Sequence, residues 1–288
     1  MTGRAVTPAI PPVAVIGGGT MGAGIAQVFL EAGARVVLVE ADPAAADRAG
    51  ERVAASLQRA SERGRLAPSA AETLAHLGLS SRLGDVAGSE LVVEAVPEDV
   101  TLKRDLLQKV EALVGDATVL ATNTSSLSVD TIGQGLRRRE RLVGMHFFNP
   151  VPASALVEVV RGADTDAATL AIVHDLVRLL GKESIEVSDS PGFATSRLGL
   201  VIALEAIRMV QDGVATAEEI DKGMELGYRH PMGPLRLTDL VGLDVRLDIA
   251  EYLHETLGPR FEVPELLRSM VAAGTLGKKS GQGFYSWP

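Results

Sequence analysis

The run Gly17-Gly18-Gly19-Thr20-Met21-Gly22 constrains this chain more than any other feature. It follows a short apolar segment, Val13-Ala14-Val15-Ile16, and leads into Ala23 to Ala32, whose apolar spacing is helical. Gly17, Gly19 and Gly22 fit G-x-G-x-x-G, a pattern that carries weight only where a buried strand turns into a helix, as it does here. Gly17 allows the tight turn. Gly19 lets phosphates approach the backbone, and Gly22 lets the helix pack on the strand. The amides at Thr20 and Met21, at the positive end of the helix, then suit an anion.

Gly33 fits a helix C′ position, and Arg35 to Glu40 reads as a second strand, which completes a βαβ unit. Glu40 ends that strand about 20 residues past the glycines. A carboxylate there accepts hydrogen bonds from ribose hydroxyls and repels a 2′-phosphate. The next residues, Ala41, Asp42 and Pro43, bring no arginine, so NAD rather than NADP is the expected cofactor.

Asp42 and Pro43 suit the N-cap and first turn of a long helix over 44–65, and 68–76 reads as a second, partnered helix. Further strands are expected over 91–96, 117–121 and 143–147, with 156–160 and 184–187 as additions, and a helix over 101–114. After about Ser188 the strand-like runs stop. Helices are expected over 195–212, from Thr216 onward behind a capping box with Glu219, over 235–257 and over 264–273. The chain therefore divides near Asp189-Ser190-Pro191-Gly192.

The 288 residues and 46% hydrophobic content suit two modest domains with a full core. A net charge of −9 opposes general binding to nucleic acid. With no cysteine, a disulfide framework, a zinc-thiolate site and a cysteine nucleophile are excluded, and no metal site is expected. No apolar run approaches the roughly 18 residues of a membrane span, and 1–12 lacks a secretory h-region, so a cytoplasmic location is expected, with the N-terminus a frayed lead-in.

Histidine is the usual general base near neutral pH. His76, His174 and His254 lie in helical patterns among polar neighbours, and His230 lies in a loop between helices. His146 differs, because it ends a strand in Gly144-Met145-His146-Phe147-Phe148-Asn149-Pro150, and ligands of open α/β sheets bind at the carboxyl ends of strands. Asn123-Thr124-Ser125-Ser126-Leu127 follows another strand at the same edge. Glu158 is an isolated carboxylate in Leu156-Val157-Glu158-Val159-Val160. Such an acid is either paired or solvent-facing, and spacing does not decide between the two.

In the segments GGGTMGAGIAQ, VVEAVPED, NTSSL, GMHFFNPVP, LVEVV, DSPGF, HPMGP and GKKSGQGFY, which run from Val13 to Tyr285, the chain resembles the L-3-hydroxyacyl-CoA dehydrogenase family. The resemblance implies NAD-dependent oxidation of a (3S)-3-hydroxyacyl-CoA, of short chain such as 3-hydroxybutyryl-CoA, and the reverse reaction. It makes His146 the base or acid, Glu158 its orienting partner and Ser125 the residue that binds the reacting oxygen. It places Glu98 and Lys103 at the nicotinamide-side ribose, and Asn123 and Asn149 near the nicotinamide. Lys279 would reach back to the cofactor from the C-terminal segment. Ser56 and Arg63, seven apart on one helix face, would meet the CoA moiety. Where the family has a substrate-holding asparagine after PGF, this chain has Ser196.

The expected architecture is α/β. A Rossmann-type doubly wound sheet domain with an inserted helical hairpin spans 1–188, and an all-helical domain spans 189–288. The resemblance implies a homodimer through the helical domain and a substrate between the two domains. Two other readings remain at this stage: a dehydrogenase of a non-CoA hydroxy acid of the sugar-acid type, and a catalytically inactive nucleotide-binding protein of the same fold.

Overall fold

The computed structural model describes residues 10–66 and 69–288, so the lead-in over 1–9 and the expected helix start at Pro68 lie outside the described residues. The chain splits into two compact units, one ending at Asp189 and the other beginning at Ser190.

The first unit is built on one eight-stranded sheet. Its strands are β1 (Val13–Ile16), β2 (Val36–Val39), β3 (Leu77–Ser80), β4 (Leu91–Glu94), β5 (Val119–Thr122), β6 (Leu142–Phe147), β7 (Leu156–Arg161) and β8 (Glu183–Ser188). The order is β3-β2-β1-β4-β5-β6-β7-β8, and every neighbouring pair is parallel except β6 with β7. The chain winds outward in one direction from β1 and then in the other from β4, so the order reverses between them. Ligands of doubly wound sheets bind outside that crevice. Every residue of β1, β4 and β5 is buried, which explains their continuous apolar runs: helices cover both faces.

The helices of this unit are α1 (Thr20–Glu31), α2 (Pro43–Glu62), α3 (Ala70–Leu74), α4 (Val100–Glu111), α5 (Val129–Ile132) and α6 (Ala167–Leu179). Ile25 and Phe29 of α1 and Leu57 of α2 pack into one core with Val15, Leu38 and Val93 of the sheet. Asp42 caps α2 by accepting the Ala45 amide at 2.8 Å, and Pro43 occupies the first turn, where its missing N–H costs nothing. Gly22 admits no side chain, because a Cβ there would overlap the Gly17 carbonyl oxygen. Gly22→Ala should therefore destabilise the first unit by about 1–3 kcal/mol. Thermal melting followed by circular dichroism checks this, and an unchanged midpoint would show that the turn can yield.

The inserted helical pair differs from expectation in its second half. The helix expected over 68–76 is only α3, started by a reciprocal Ser69–Glu72 capping box, and the chain then forms β3. This strand lies at the sheet edge with none of its four residues buried. It therefore needs no apolar run, and Leu77-Gly78-Leu79-Ser80 carries none. Parallel β7 and β8 require a crossover, which α6 supplies.

The second unit contains α7 (Thr195–Gln211), α8 (Ala217–Gly227), α9 (Pro234–Val241), α10 (Leu243–Leu257) and α11 (Glu265–Ala272). Leu200, Leu204, Ile207, Leu235, Leu253 and Leu267 form its centre. The single helix expected over 235–257 is two helices. Gly242 breaks it with φ of +106°, which residues bearing a Cβ rarely adopt. The last residues fold back onto α9: the Asp239 carboxylate accepts the amides of Phe284 and Tyr285 and the Trp287 indole N–H. Among the described residues, no helix is long and apolar enough to cross a membrane.

Candidate active site

The carboxyl ends of β5 and β6 lie side by side because the two strands are parallel neighbours. Asn123, the first residue after β5, fastens them together, its Oδ1 accepting the Phe147 amide at 2.9 Å. His146 is the penultimate residue of β6. Antiparallel pairing of β6 with β7 sets Glu158 directly opposite it, and opposite residues on one face have side chains within reach. Nδ1 of His146 stands 2.9 Å from Oε2 of Glu158. His146 is 7% exposed and Glu158 fully buried, so the isolated carboxylate of β7 is the paired one. Donation to a carboxylate assigns the ring proton to Nδ1, which puts the lone pair that takes up a proton on Nε2. The Phe148 ring tilts against the imidazole with centroids 4.4 Å apart.

Ser125 lies half-buried in the loop after β5, its amide donating to Glu98 Oε1 at 3.0 Å. The same oxygen accepts the Thr124 hydroxyl at 2.5 Å. Glu98 thereby ties the segment after β4 to the segment after β5, while its own side chain stays partly exposed.

Lys103 does not take the position expected from its motif. It is 1% exposed. Its ammonium donates to Glu94 Oε1 at 2.8 Å and the Val96 carbonyl at 3.1 Å, and pairs with Glu98 Oε2 at 3.2 Å. Those acceptors match its three N–H bonds, so it supports Glu98 from beneath rather than offering a donor at the surface. Glu94, which the sequence reading did not single out, is the other half of this device. It is fully buried, and it also accepts the Val96 amide at 2.7 Å and the Thr122 hydroxyl at 2.7 Å. A glutamate ending an otherwise apolar strand was the available signal.

The glycine turn fits a dinucleotide. Gly17 has φ of +95°, and a Cβ there would stand 2.6 Å from the Ala95 carbonyl oxygen. A Cβ on Gly19 would have no heavy atom within 4 Å, so the backbone is bare on that side. Gly19 is also the N-cap of α1 and supplies no side-chain cap, which leaves the amides of the first turn, at Thr20 and Met21, for an anion. Glu40 directly follows β2 beside the loop, and its Oε1 accepts the Gly18 amide at 2.6 Å. Arg52 of α2 holds the same residue from the other side, donating to the Gly18 carbonyl through Nε at 3.1 Å and Nη2 at 2.8 Å.

Within this unit α1, α2 and the segment after β6 enclose a cavity of about 310 Å³. Gly24, Arg52, Ser56, Arg59, Asn149 and Pro152 are among its lining residues. Ser56 reaches this cavity from α2. Arg63 is not on the helix: α2 stops at Glu62, Arg63 is the C-cap, and Gly64 turns the chain with φ of +66°. The cations on Ser56's face of α2 are instead Arg52, four residues before it, and Arg59, three after it.

In the second unit, Ser196 lies in the first turn of α7. Lys279 bonds both oxygens of Asp244, so its ammonium is held inside the helical unit.

Residues 12–190 match the family model described as 3-hydroxyacyl-CoA dehydrogenase, NAD binding domain, and residues 192–287 match its C-terminal domain. The chain is 40% identical over 280 residues to a probable 3-hydroxybutyryl-CoA dehydrogenase of Bacillus subtilis, covering 96% of this chain and 98% of that protein. Among solved structures, Mycobacterium tuberculosis FadB2 matches with a TM-score of 0.93 and 41% identity, over 98% of this chain and 100% of that one. The (S)-3-hydroxybutyryl-CoA dehydrogenase PaaH1 of Ralstonia eutropha matches with a TM-score of 0.92 and 40% identity, over 97% and 99%. The matched first domain makes NAD the cofactor of the glycine-turn unit. The chain belongs to the 3-hydroxyacyl-CoA dehydrogenase family.

Proposed function

We propose that this enzyme interconverts a (3S)-3-hydroxyacyl-CoA and the corresponding 3-ketoacyl-CoA, with a short acyl chain. The observation that carries this reading is the buried His146–Glu158 pair at the sheet edge where Asn123, Ser125 and Glu98 converge. In the oxidative direction Nε2 of His146 takes the proton of the 3-hydroxyl. Glu158 holds the ring in the one tautomer that can do so and balances its charge afterwards. Ser125 hydrogen-bonds the reacting oxygen. NAD, when bound, supplies the hydride acceptor. Gly17, Gly19, Gly22 and the Thr20 and Met21 amides hold its phosphates, Glu40 one ribose, and Glu98, anchored by Lys103, the other. Asn123 and Asn149 stand on the nicotinamide side. In reduction His146, protonated, returns its proton to the oxygen.

The CoA portion is read at the 310 Å³ cavity, where Ser56, Arg52 and Arg59 offer a hydroxyl and two cations to its phosphates. Ser196 takes the substrate-holding role of the family's asparagine, and Lys279 acts from the C-terminal segment. Two copies pair through the second unit, where Leu198, Val201 and Ile202 of α7 and Leu237 and Leu240 of α9 are exposed. Light scattering on a sizing column should give a dimer, and Leu198→Lys should shift it toward monomer.

The direct test follows NADH oxidation at 340 nm with acetoacetyl-CoA, beside free acetoacetate. Turnover confined to the thioester is expected. Turnover of the free acid alone would replace this reading with a dehydrogenase of non-CoA hydroxy acids. Glu40→Ala removes charged hydrogen bonds worth about 1.5–3 kcal/mol, so NADH binding should weaken roughly 10- to 150-fold. A fluorescence titration checks this, and an unchanged affinity would remove Glu40 from the ribose.

A further inference from the structure

Arg52 stands between two binding surfaces of the first unit. It lies on the exposed face of α2, three residues after Ala49. Ala49 packs so closely on the glycine turn that a Cβ on Gly18 would stand 2.3 Å from its own Cβ. The Arg52 guanidinium bonds the Gly18 carbonyl oxygen twice, through Nε and Nη2. The same residue lines the cavity of about 310 Å³ with Ser56 and Arg59. Positions 52, 56 and 59 are spaced by four and three, so they share one face of the helix.

The Gly18 carbonyl is an acceptor with a consequence for the cofactor. It shares one planar peptide with the Gly19 N–H, and in a trans peptide the two groups point in opposite directions. Among the described residues the cis peptide bond is the one before Pro150, so the Gly18–Gly19 bond is trans. A donor fork on the carbonyl therefore fixes where the Gly19 N–H points, and it polarises the peptide so that this N–H donates more strongly. Gly19 is the bare position where the cofactor's phosphates approach the backbone. Glu40 fastens the other side of Gly18 by accepting its amide. Arg52 is thus the fastener that comes from α2.

A guanidinium carries five N–H bonds in a rigid fork. Two are spent on Gly18, and the other three point away from it. A phosphate in the cavity can take them as a bidentate pair. The side chain is long and exposed, so keeping it in one geometry costs rotamer freedom. Two ligands that use the same geometry meet that cost once between them. We propose that Arg52 is a positioning residue shared by the two ligands. It sets the cofactor's phosphate turn, and an organic phosphate in the cavity sets Arg52, so that NADH and the CoA thioester strengthen each other's binding. The proposal rests on the reading above that the cavity takes the CoA phosphates. Arg52 touches no reacting atom.

The test uses free coenzyme A, which carries the phosphates without a group to reduce. NADH is titrated by fluorescence, alone and with saturating coenzyme A, in the wild type, Arg52→Met, Arg52→Lys and Arg59→Met. Coenzyme A should tighten NADH binding to the wild type at least fivefold, and calorimetry should show NADH tightening coenzyme A by the same factor, because coupling is reciprocal. Arg52→Met should weaken NADH alone about tenfold and abolish the coupling. Arg52→Lys should recover part of both, since an ammonium offers single donors in place of a planar fork. Arg59→Met should weaken coenzyme A. With acetoacetyl-CoA at 340 nm, Arg52→Met should raise the KM for NADH while kcat stays within about twofold, a split that a misfolded enzyme would not give. Its melting midpoint should stay near that of the wild type, because methionine suits an exposed helix position. If NADH affinity is the same with and without coenzyme A, while Arg59→Met still weakens coenzyme A, the proposal is overturned and the cavity reading stands. Coupling that persists in Arg52→Met would overturn it in the same way. Coenzyme A that binds the wild type, Arg52→Met and Arg59→Met equally well, or none of them, would overturn both.

Discussion

His146→Gln should lower kcat by about 10³ while leaving NADH affinity within about twofold. Glutamine keeps roughly the volume and one hydrogen bond toward Glu158, so the β6–β7 pairing survives, but it has no nitrogen that takes up a proton at neutral pH. The loss should fall on kcat and kcat/KM alike, because proton transfer belongs to the transition state. Glu158→Gln should cost nearly as much. Its amide N–H₂ facing Nδ1 would favour the other tautomer and leave no charge to balance the imidazolium. The double variant should be no worse than His146→Gln alone, since residues that act as one unit do not add. Stopped assays at 340 nm, with NADH titrated by fluorescence, separate the outcomes. Turnover within tenfold of wild type in His146→Gln would remove His146 as the base.

Lys103→Met should be the most destabilising single change outside the apolar core. Removing one member of a buried ion pair leaves the other charge uncompensated, at a cost of about 3–5 kcal/mol. Here Glu94, fully buried, would retain only the Val96 amide and the Thr122 hydroxyl. For a unit of this size the melting midpoint should fall by about 10 °C. The double variant Glu94→Leu, Lys103→Met should recover most of the loss, because an apolar pair of similar volume often replaces a buried ion pair without penalty. Glu98 also loses its anchor in the single variant, so NADH binding should weaken in the part that stays folded. A single variant as stable as the double would show that Glu94 is not left uncompensated.

The resembling segments divide into two kinds once their contacts are known. NTSSL and GMHFFNPVP supply groups at the carboxyl ends of β5 and β6. HPMGP and GKKSGQGFY close the helical unit on itself. Asp221 accepts the Leu235 and Arg236 amides and the Tyr285 hydroxyl, while Asp239 gathers the last residues. Burial most of all, then the hydrogen bond to Asp221 and the negative charges of Asp221 and Glu218, push the Tyr285 phenol up. Gly233 and Gly283 are glycines because a Cβ would overlap the carboxylates of Asp221 and Asp239. The C-terminal motif is therefore as much a structural clasp as the carrier of Lys279.

What the sequence determines by itself is local. A strand of Val, Ala and Ile, a glycine turn, a helix and a terminal Glu40 follow from spacing and residue type over about thirty residues, because each step is a contact between near neighbours. The capping boxes and the change from strand patterns to helical ones follow for the same reason. The edge strand β3 and the break at Gly242 are weaker in the sequence, since an exposed edge needs no apolar run and a lone glycine also fits inside a helix. The pairing of Glu158 with His146, the burial of Lys103 against Glu94 and the end of α2 before Arg63 were decided only by tertiary structure. Each depends on strand register, helix ends or packing between segments distant in the chain. A charged residue carries no sign in the sequence of whether its field falls on water or on another buried charge.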